Sequence, residues 1–413
     1  MLSRLRQDAE TIVNESIREV QPDKAVVRAL EENPLGGRIR LVAVGKAAWQ
    51  MAKAAAGFLG DKLERGIVVT KYGHVQGEIS GVECYEGGHP VPDEGSFRGT
   101  RKALKLTEGL TSEDTVLFLL SGGGSALFEL PLIPPEELQD LTRQLLACGA
   151  DIVEINTLRK RLSAVKGGRF AEHCAPARVF SIILSDILGD PPDMIASGPA
   201  CPDSSTCEEA MESVRRYRLS LSDETRRLLM VETPKSLSNS QWRINGSVLE
   251  LCAAAARGCE RLGYEPVFLT DRLCCQAREA GSMMASILRT HAKDGKKLAF
   301  LAGGETVVRL TGHGKGGRNQ ELALAAAEGI AGLENAALFS VGSDGTDGPT
   351  DAAGGFVDGE TCHLLLEQGI HIEQVLQDND AYHALQRTEG LIFTGPTGTN
   401  VNDVAVGLLT LPL

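Results

Sequence analysis

Lys315 and Arg318 stand among four glycines in GHGKGGRNQELALAAA (Gly312–Ala327), directly before an amphipathic run that reads as a helix. A helix start already carries positive dipole charge, so each further cation there costs about 0.3–1 kcal/mol. An anion held between these side chains and the free backbone N–H groups turns that cost into a gain. The stretch therefore predicts chemistry on a small anion, a carboxylate or a phosphate.

The same grammar recurs along the chain. Lys46 ends the run RIRLVAVGK and opens a helix, which favours an anion role over a surface lysine whose stem covers apolar neighbours. SGGGSA (Ser121–Ala126) offers either a tight turn or a nest of N–H donors built from Ser121, Gly122, Gly123, Gly124 and Ser125. Ser125 lacks the G-x-S-x-G elbow of an acyl-transfer nucleophile. Asp186, Asp190 and Asp193 share one loop, and Asp344 and Asp347 share another. These carboxylates either serve turn chemistry or, for Asp186, Asp190, Asp344 and Asp347, hold Mg²⁺ or accept a proton. GGET brings Glu305 and TGPTGTN brings Asn400 to similar loops. His89 reads as structural and Trp49 as core. Arg159–Arg161 reads as a solvated helix face, whereas Lys166 and Arg169, beside two glycines, repeat the opening pattern. Cys174, Cys201 and Cys207 receive no role.

These residues sit between alternating strands and helices. Buried strands are predicted at Arg38–Gly45, Gly66–Thr70, Val82–Glu86, Thr115–Ser121 and Arg178–Asp186, with helices at Lys46–Phe58, Pro135–Cys148 and Ile155–Phe170 up to its glycine break. The rhythm lapses over Ser220–Gln241, which places a domain boundary there and gives domains 1–235 and 236–413. It resumes with helices near Val248–Leu262 and Gln276–His291, the runs YEPVFLT, KLAFLAGG and TVVRL, a helix ending at Gly329, the strand Ala337–Asp344 and two short helices. Such alternation predicts an α/β fold with doubly wound, mainly parallel sheets. Ligands of such sheets bind outside the carboxyl ends of the strands, where the glycine-rich loops fall. Loops of this kind in both halves predict a cleft between two domains.

Composition narrows the classes. A net charge of −13 argues against nucleic-acid and acidic-membrane partners, so cations for a small anion must be gathered locally. No run approaches the roughly 18 apolar residues of a membrane span. Ten scattered cysteines, none in C-x-x-C, fit a reducing, cytoplasmic setting without disulfides or a zinc site. Leu2, Leu5, Ala9, Ile12, Val13, Ile17 and Val20 recur at helical spacing, and early acids argue against a transit peptide. No G-x-x-x-x-G-K-[ST], kinase catalytic loop or G-x-G-x-x-G opening is present.

Together VGKAAWQMA, LLSGGGSAL, INTLRKRLSAVKGGR, LSDILGDPPDMIASGP, LAGGETVVRLTGHGKGGRNQELAL, VGSDGTDGPTDAAG and TGPTGTNVND resemble the bacterial-type glycerate 2-kinases with a C-terminal MOFRL domain. The resemblance spans nearly the whole chain. It implies a Rossmann-like N-terminal domain and a MOFRL-type C-terminal domain flanking a cleft. It also implies ATP-dependent, Mg²⁺-assisted phosphorylation of D-glycerate to 2-phosphoglycerate. The family's proposed lysine, arginine and LSD aspartate carry over to Lys46, Arg318 and Asp186. Ser121–Ser125, Glu305, Lys315 and Asn400 stand as substrate or nucleotide contacts, and Asp190 and Asp344 as metal ligands. The expected mechanism has Lys46 and Arg318 clamp the transferring group or the substrate carboxylate. An NAD(P)H-dependent hydroxypyruvate reductase and a non-catalytic metabolite binder are the alternatives, the first disfavoured by the missing dinucleotide fingerprint. Oligomeric state is left open, a homodimer being the working expectation.

Overall fold

The computed structural model describes residues 3–411, so Leu2 lies outside the described residues. The chain divides into two compact units, one of Pro22–Asn245 and one formed by the residues through Gln21 together with those from Gly246 onward.

The first unit is built on strands β1 (Arg38–Val44), β2 (Leu63–Lys71), β3 (Val82–Gly87), β4 (Asp114–Leu120), β5 (Arg178–Leu184) and β6 (Ser240–Gly246), in the order β3-β2-β1-β4-β5-β6. From β3 to β5 every adjacent pair is parallel. Near-continuous apolar runs form the central strands β1, β4 and β5 because both faces are covered. Leu41 and Ala43 of β1 point into one core with Trp49 and Met51, while Val42 and Val44 point into another with Phe118, Phe128 and Phe170. Strand order reverses between β1 and β4, the switch point at which doubly wound sheets bind ligands. The loops leaving those two strands are Gly45–Lys46 and Ser121–Ser125.

The second unit continues with β7 (Glu265–Leu273), β8 (Leu298–Gly304), β9 (Ala336–Gly342), β10 (Gly354–Asp358), β11 (Leu391–Ile392) and β12 (Asp403–Leu409), in the order β11-β10-β9-β12-β8-β7. β7 and β8 pair in parallel, and β7, β8, β9 and β11 share one direction. β10 and β12, which the strand–helix rhythm does not announce, run against them, so the pairs they make are antiparallel. Helices Ala277–His291 and Arg318–Ile330 approach closely through small residues: a Cβ on Gly281 would fall 2.2 Å from the Leu322 carbonyl oxygen, and one on Gly329 2.5 Å from Ala285 Cβ.

Four expectations are corrected. The boundary falls after Asn245 rather than at residue 235, because Ser240–Gly246 forms the edge strand of the first sheet. The N-terminal helix Arg4–Glu19 belongs to the C-terminal unit, because its polar groups find their partners there. Asp8 accepts from the Tyr264 hydroxyl at 2.7 Å, Glu15 takes Arg261 Nε at 3.1 Å, and Arg257 pairs with Glu19. The basic helix ends at Arg161, well before the glycine break, and TVVRL is no strand, only Val307 bridging to Gln276.

Candidate active site

At the switch point the backbone staples two loops together. The Ser121 hydroxyl accepts from the Ala47 amide at 3.1 Å and donates to the Val44 carbonyl at 3.3 Å, and the Lys46 amide donates to Gly122 at 2.9 Å. Gly45 is required here: its φ is +117°, and a Cβ would fall 2.3 Å from Ser121 Oγ. Ser121, which also lines the cavity described below, thus holds β1 and β4 in register. The Lys46 side chain is exposed and has no ion pair among the described residues.

The glycine tract exists because functional groups crowd it. A Cβ on Gly122 would meet Asp186 Oδ2 at 2.5 Å, and one on Gly123 (φ +86°) would meet His89 Cδ2 at 3.0 Å and Lys46 Cγ at 3.3 Å. Among the described residues the N–H groups of Gly122, Gly123, Gly124 and Ser125 have no acceptor. They edge a cavity of about 190 Å³ whose wall includes His89, Asn156, Arg159 and Asp186. Burial raises the Asp186 carboxyl above its usual range, against the pull of its own backbone N–H and of Lys46. Burial, then the charge of Lys46, lowers His89, so the imidazole beside the tract is neutral at pH 7. His89, read from sequence as structural, therefore faces the cavity. Ser125 Oγ lies 3.2 Å from Ser197 Oγ.

Asp190 has φ +52° and a buried Oδ1 without a hydrogen-bond partner, an orphaned acceptor that suits a cation. Asp193 is instead held by Lys160 at 3.1 Å and by Ser204 at 2.6 Å. Asp344 accepts from the amide and hydroxyl of Thr346 at 3.0 and 3.2 Å, so it caps its own turn. Asp190 and Asp344 belong to different units, and among the described residues no three His, Cys, Asp or Glu side chains converge as a metal cage. Mg²⁺ carried with a nucleotide needs only one or two carboxylates, a demand that Asp190 fits.

Behind the tract lies a buried charge network, where sequence predicted a solvated face. Lys160, Arg161 and Lys166 are each at most 1% exposed. Lys160 binds Asp203 at 2.9 Å, and Arg161 binds Glu232 at 3.0 Å and the Ser205 carbonyl at 2.9 Å. Lys166 donates to the carbonyls of Ser125 and Phe128 at 2.9 and 2.8 Å. Burial lowers its ammonium to about 8, against the pull of Glu129.

In the C-terminal unit the opening puzzle has an internal answer. Arg318 Nε and Nη2 donate to the two Asp403 oxygens at 2.5 and 3.0 Å, and Nη1 lies 3.2 Å from Glu305. Burial opposes the guanidinium charge, but Asp403 and then Glu305 outweigh it and raise the Arg318 pKa. The helix amides are capped as well: Asp347 accepts from the N–H of Asn319 at 3.1 Å and of Gln320 at 2.9 Å. Lys315 Nζ sits 4.2 Å over the Tyr382 ring, a cation–π contact. Asn400 is exposed, and its Oδ1 accepts from Asn402 N at 3.4 Å. The inference that cations at this helix start require a guest anion is therefore corrected: Asp403 and Asp347 are the anions.

Residues 8–230 match a family described as a domain of unknown function (DUF4147), and residues 298–403 match the MOFRL family. The chain is 52% identical to the D-glycerate 2-kinase of Thermotoga maritima, over 98% of both chains. It belongs to the glycerate 2-kinase family. A glycerate 2-kinase of Pyrococcus horikoshii is 39% identical over 98% of both chains. The crystal structure of glycerate kinase from Thermotoga maritima superposes with a TM-score of 0.95, covering 98% of this chain and 99% of that one.

Within this glycerate 2-kinase fold, the structure brings Lys46, Gly122–Ser125 and Asp186 together on one unit and pairs Arg318 with Glu305 on the other, where Lys315 packs on Tyr382 instead. His89, Asn156, Arg159 and Asp403 are the residues that sequence reasoning passed over. The signal for Asn156 and Arg159 was their i, i+3 spacing in NTLR, which puts both on one helix face beside apolar Leu158 and Leu162. Asp403 carried no local signal, since its partner lies 85 residues away.

Proposed function

We propose that this chain transfers the γ-phosphoryl group of ATP to the 2-hydroxyl of D-glycerate. The observation that carries the reading is that Lys46 and Asp186 press on the same glycine tract at the switch point of the first sheet. Phosphoryl transfer needs donor and acceptor held in line and the equatorial oxygens neutralised. Lys46 has an unpaired charge to offer, and the open amides of Gly122–Gly124 add donors without reorganisation. Asp186, kept basic by burial, takes the proton from the acceptor hydroxyl.

Mg²⁺ entering with ATP would be held by Asp190 and would neutralise phosphate oxygens. Arg318, as the head of a fixed ion pair, is proposed with Lys315, Glu305 and Asn400 to serve the nucleotide. The reductase alternative needs a pyrophosphate to approach the first β–α turn, where Gly45 is followed by Lys46, Ala47 and Ala48. No helix among the described residues is long and apolar enough to cross a membrane, and the ten cysteines are free, which supports a cytoplasmic setting.

The test is ADP release from Mg-ATP with D- and L-glycerate, with the product identified by phosphorus NMR. ADP formation with D-glycerate and a 2-phosphate product is expected; no ADP, or a 3-phosphate, overturns the reading.

A further inference from the structure

Arg159 has no part in the reading above, yet its surroundings leave it under-used. It lies on the helix Ile152–Arg161 and lines the cavity that Asp186 and the glycine tract also line. A guanidinium carries five N–H donors. Here Nη2 donates to the Ser125 carbonyl at 3.2 Å, Nε is buried without an acceptor, and Nη1 has none among the described residues.

Its charge is also under-answered. The nearest carboxylate oxygen is Glu129 Oε2 at 3.7 Å, and Lys166 takes that same oxygen at 3.3 Å. Glu129 and Lys166 are buried and Arg159 is nearly so, with 16% of its side chain exposed. Two cations thus share one anion beside a cavity, an arrangement that is costly unless a second anion joins it. Asp186 does not supply one. Along the tract the neighbours change in order: Asp186 at Gly122, His89 and Lys46 at Gly123, Ala196 at Gly124, then Arg159 and Ser197 at Ser125. Asp186 and Arg159 therefore stand at opposite ends.

Asn156 adds a directed donor. It is 3% exposed and one turn before Arg159, and its Oδ1 accepts from Ser197 Oγ at 2.9 Å. That bond leaves the amide nitrogen for the cavity that Asn156 lines.

We infer that Arg159, with Asn156, binds the carboxylate of the small hydroxy acid, leaving its hydroxyl end toward Asp186 and Lys46. This rests on the glycerate reading and deepens it. A carboxylate of a three-carbon acid fits better than a nucleotide phosphate, because the cavity of about 190 Å³ is below the roughly 300–1,000 Å³ of sites that enclose larger ligands. Its apolar wall, from Ile152, Ile187 and Met194, suits a short carbon skeleton.

The experiment compares wild type, Arg159→Gln and Arg159→Lys with D-glycerate and with glyceramide, its uncharged amide. A lost charged hydrogen bond predicts a rise of roughly 10- to 100-fold in the KM for D-glycerate with Arg159→Gln. The KM for ATP stays within about twofold, and the wild-type preference for D-glycerate over glyceramide shrinks by the same factor as the glycerate KM rises. Arg159→Lys recovers part of both. The inference is overturned if the glycerate KM is unchanged, if both acceptors lose equally, or if only the ATP KM rises. Should wild type release no ADP with D-glycerate, the kinase reading fails by itself. Calorimetric binding of D-glycerate alone, present in wild type and lost in Arg159→Gln, then still decides the role of Arg159. Equal binding by both overturns it, and matched melting temperatures exclude misfolding.

Discussion

Two glycine-flanked cations look alike in sequence and end in opposite electrostatic states. Lys46 has no ion pair among the described residues, and the glycine tract beside it keeps four amides open. Arg318 spends its fork on Asp403 and Glu305, and the first amides of its helix are closed by Asp347. A cation at a helix start is thus a statement that some anion is near, and says nothing of whether that anion is a guest or part of the chain. The unanswered charge is the better marker of a ligand site, and by that measure the proposed acceptor site lies in the N-terminal unit.

The contrast can be broken by experiment. Lys46→Met is expected to lower turnover by about 10²–10³-fold, the scale for losing one preorganised donor, with the melting temperature unmoved. A turnover within a few-fold of wild type would remove Lys46 from the site. Arg318→Met leaves Asp403 buried without its counter-charge, so urea unfolding should show a loss of about 2–3 kcal/mol, below the figure for a fully buried pair because the arginine is partly exposed. Replacing Asp403 by Leu in the same chain should return most of that loss. The turnover of this double variant then reads what Arg318 does beyond holding Asp403.

The same glycine substitution separates the regions further. Gly122→Ala puts a methyl 2.5 Å from Asp186 Oδ2 and should cost about 10²-fold in turnover with little change in stability. Gly317→Ala puts one 2.3 Å from Asp347 Cγ and should cost about 1–3 kcal/mol of stability instead. Equal stability losses would mean that the two loops do not differ as described.

Protonation offers a finer test. Burial raises the Asp347 carboxyl to about 6, although the Gln320 and Asn319 amides favour its charge. The folded state then binds the proton more tightly than the unfolded state, whose value is near 3.8. The contribution of Asp347 is full below that value and is lost as pH rises through about 6. Urea melts at pH 4.5 and 7 should show Asp347→Asn gaining on wild type at the higher pH; a constant difference counts against a raised carboxyl. Smallest of all, Ser121→Ala should cost about 1 kcal/mol for its two backbone bonds and leave the KM for ATP unchanged.

Much of the site was legible because its parts are local. Gly122, Gly123 and Asp186 announce themselves at strand ends, where a loop rich in glycine and a carboxylate have few structural uses in common. Ser121 was legible as a site residue, and the structure adds a second use for it, because a hydroxyl at a strand end serves the neighbouring strand equally well. Arg159 was hidden for the opposite reason. Charged residues in a row read as a solvated face, and only the buried partners Glu129 and Asp203, with Glu232 at the surface end, make Arg159–Arg161 and Lys166 an interior network.

The sequence by itself determined strands β1 to β5 of the first sheet, the glycine loops at their carboxyl ends and the membership of the family. These follow from apolar runs and short-range turn chemistry, which depend on neighbours a few residues apart. Only the tertiary structure decided that β12 enters the second sheet between β8 and β9, that the first helix joins the C-terminal unit, and that Arg318 already has its anion. Each of these depends on partners brought together from distant parts of the chain, and a charge or a strand edge carries no mark of which distant partner will satisfy it.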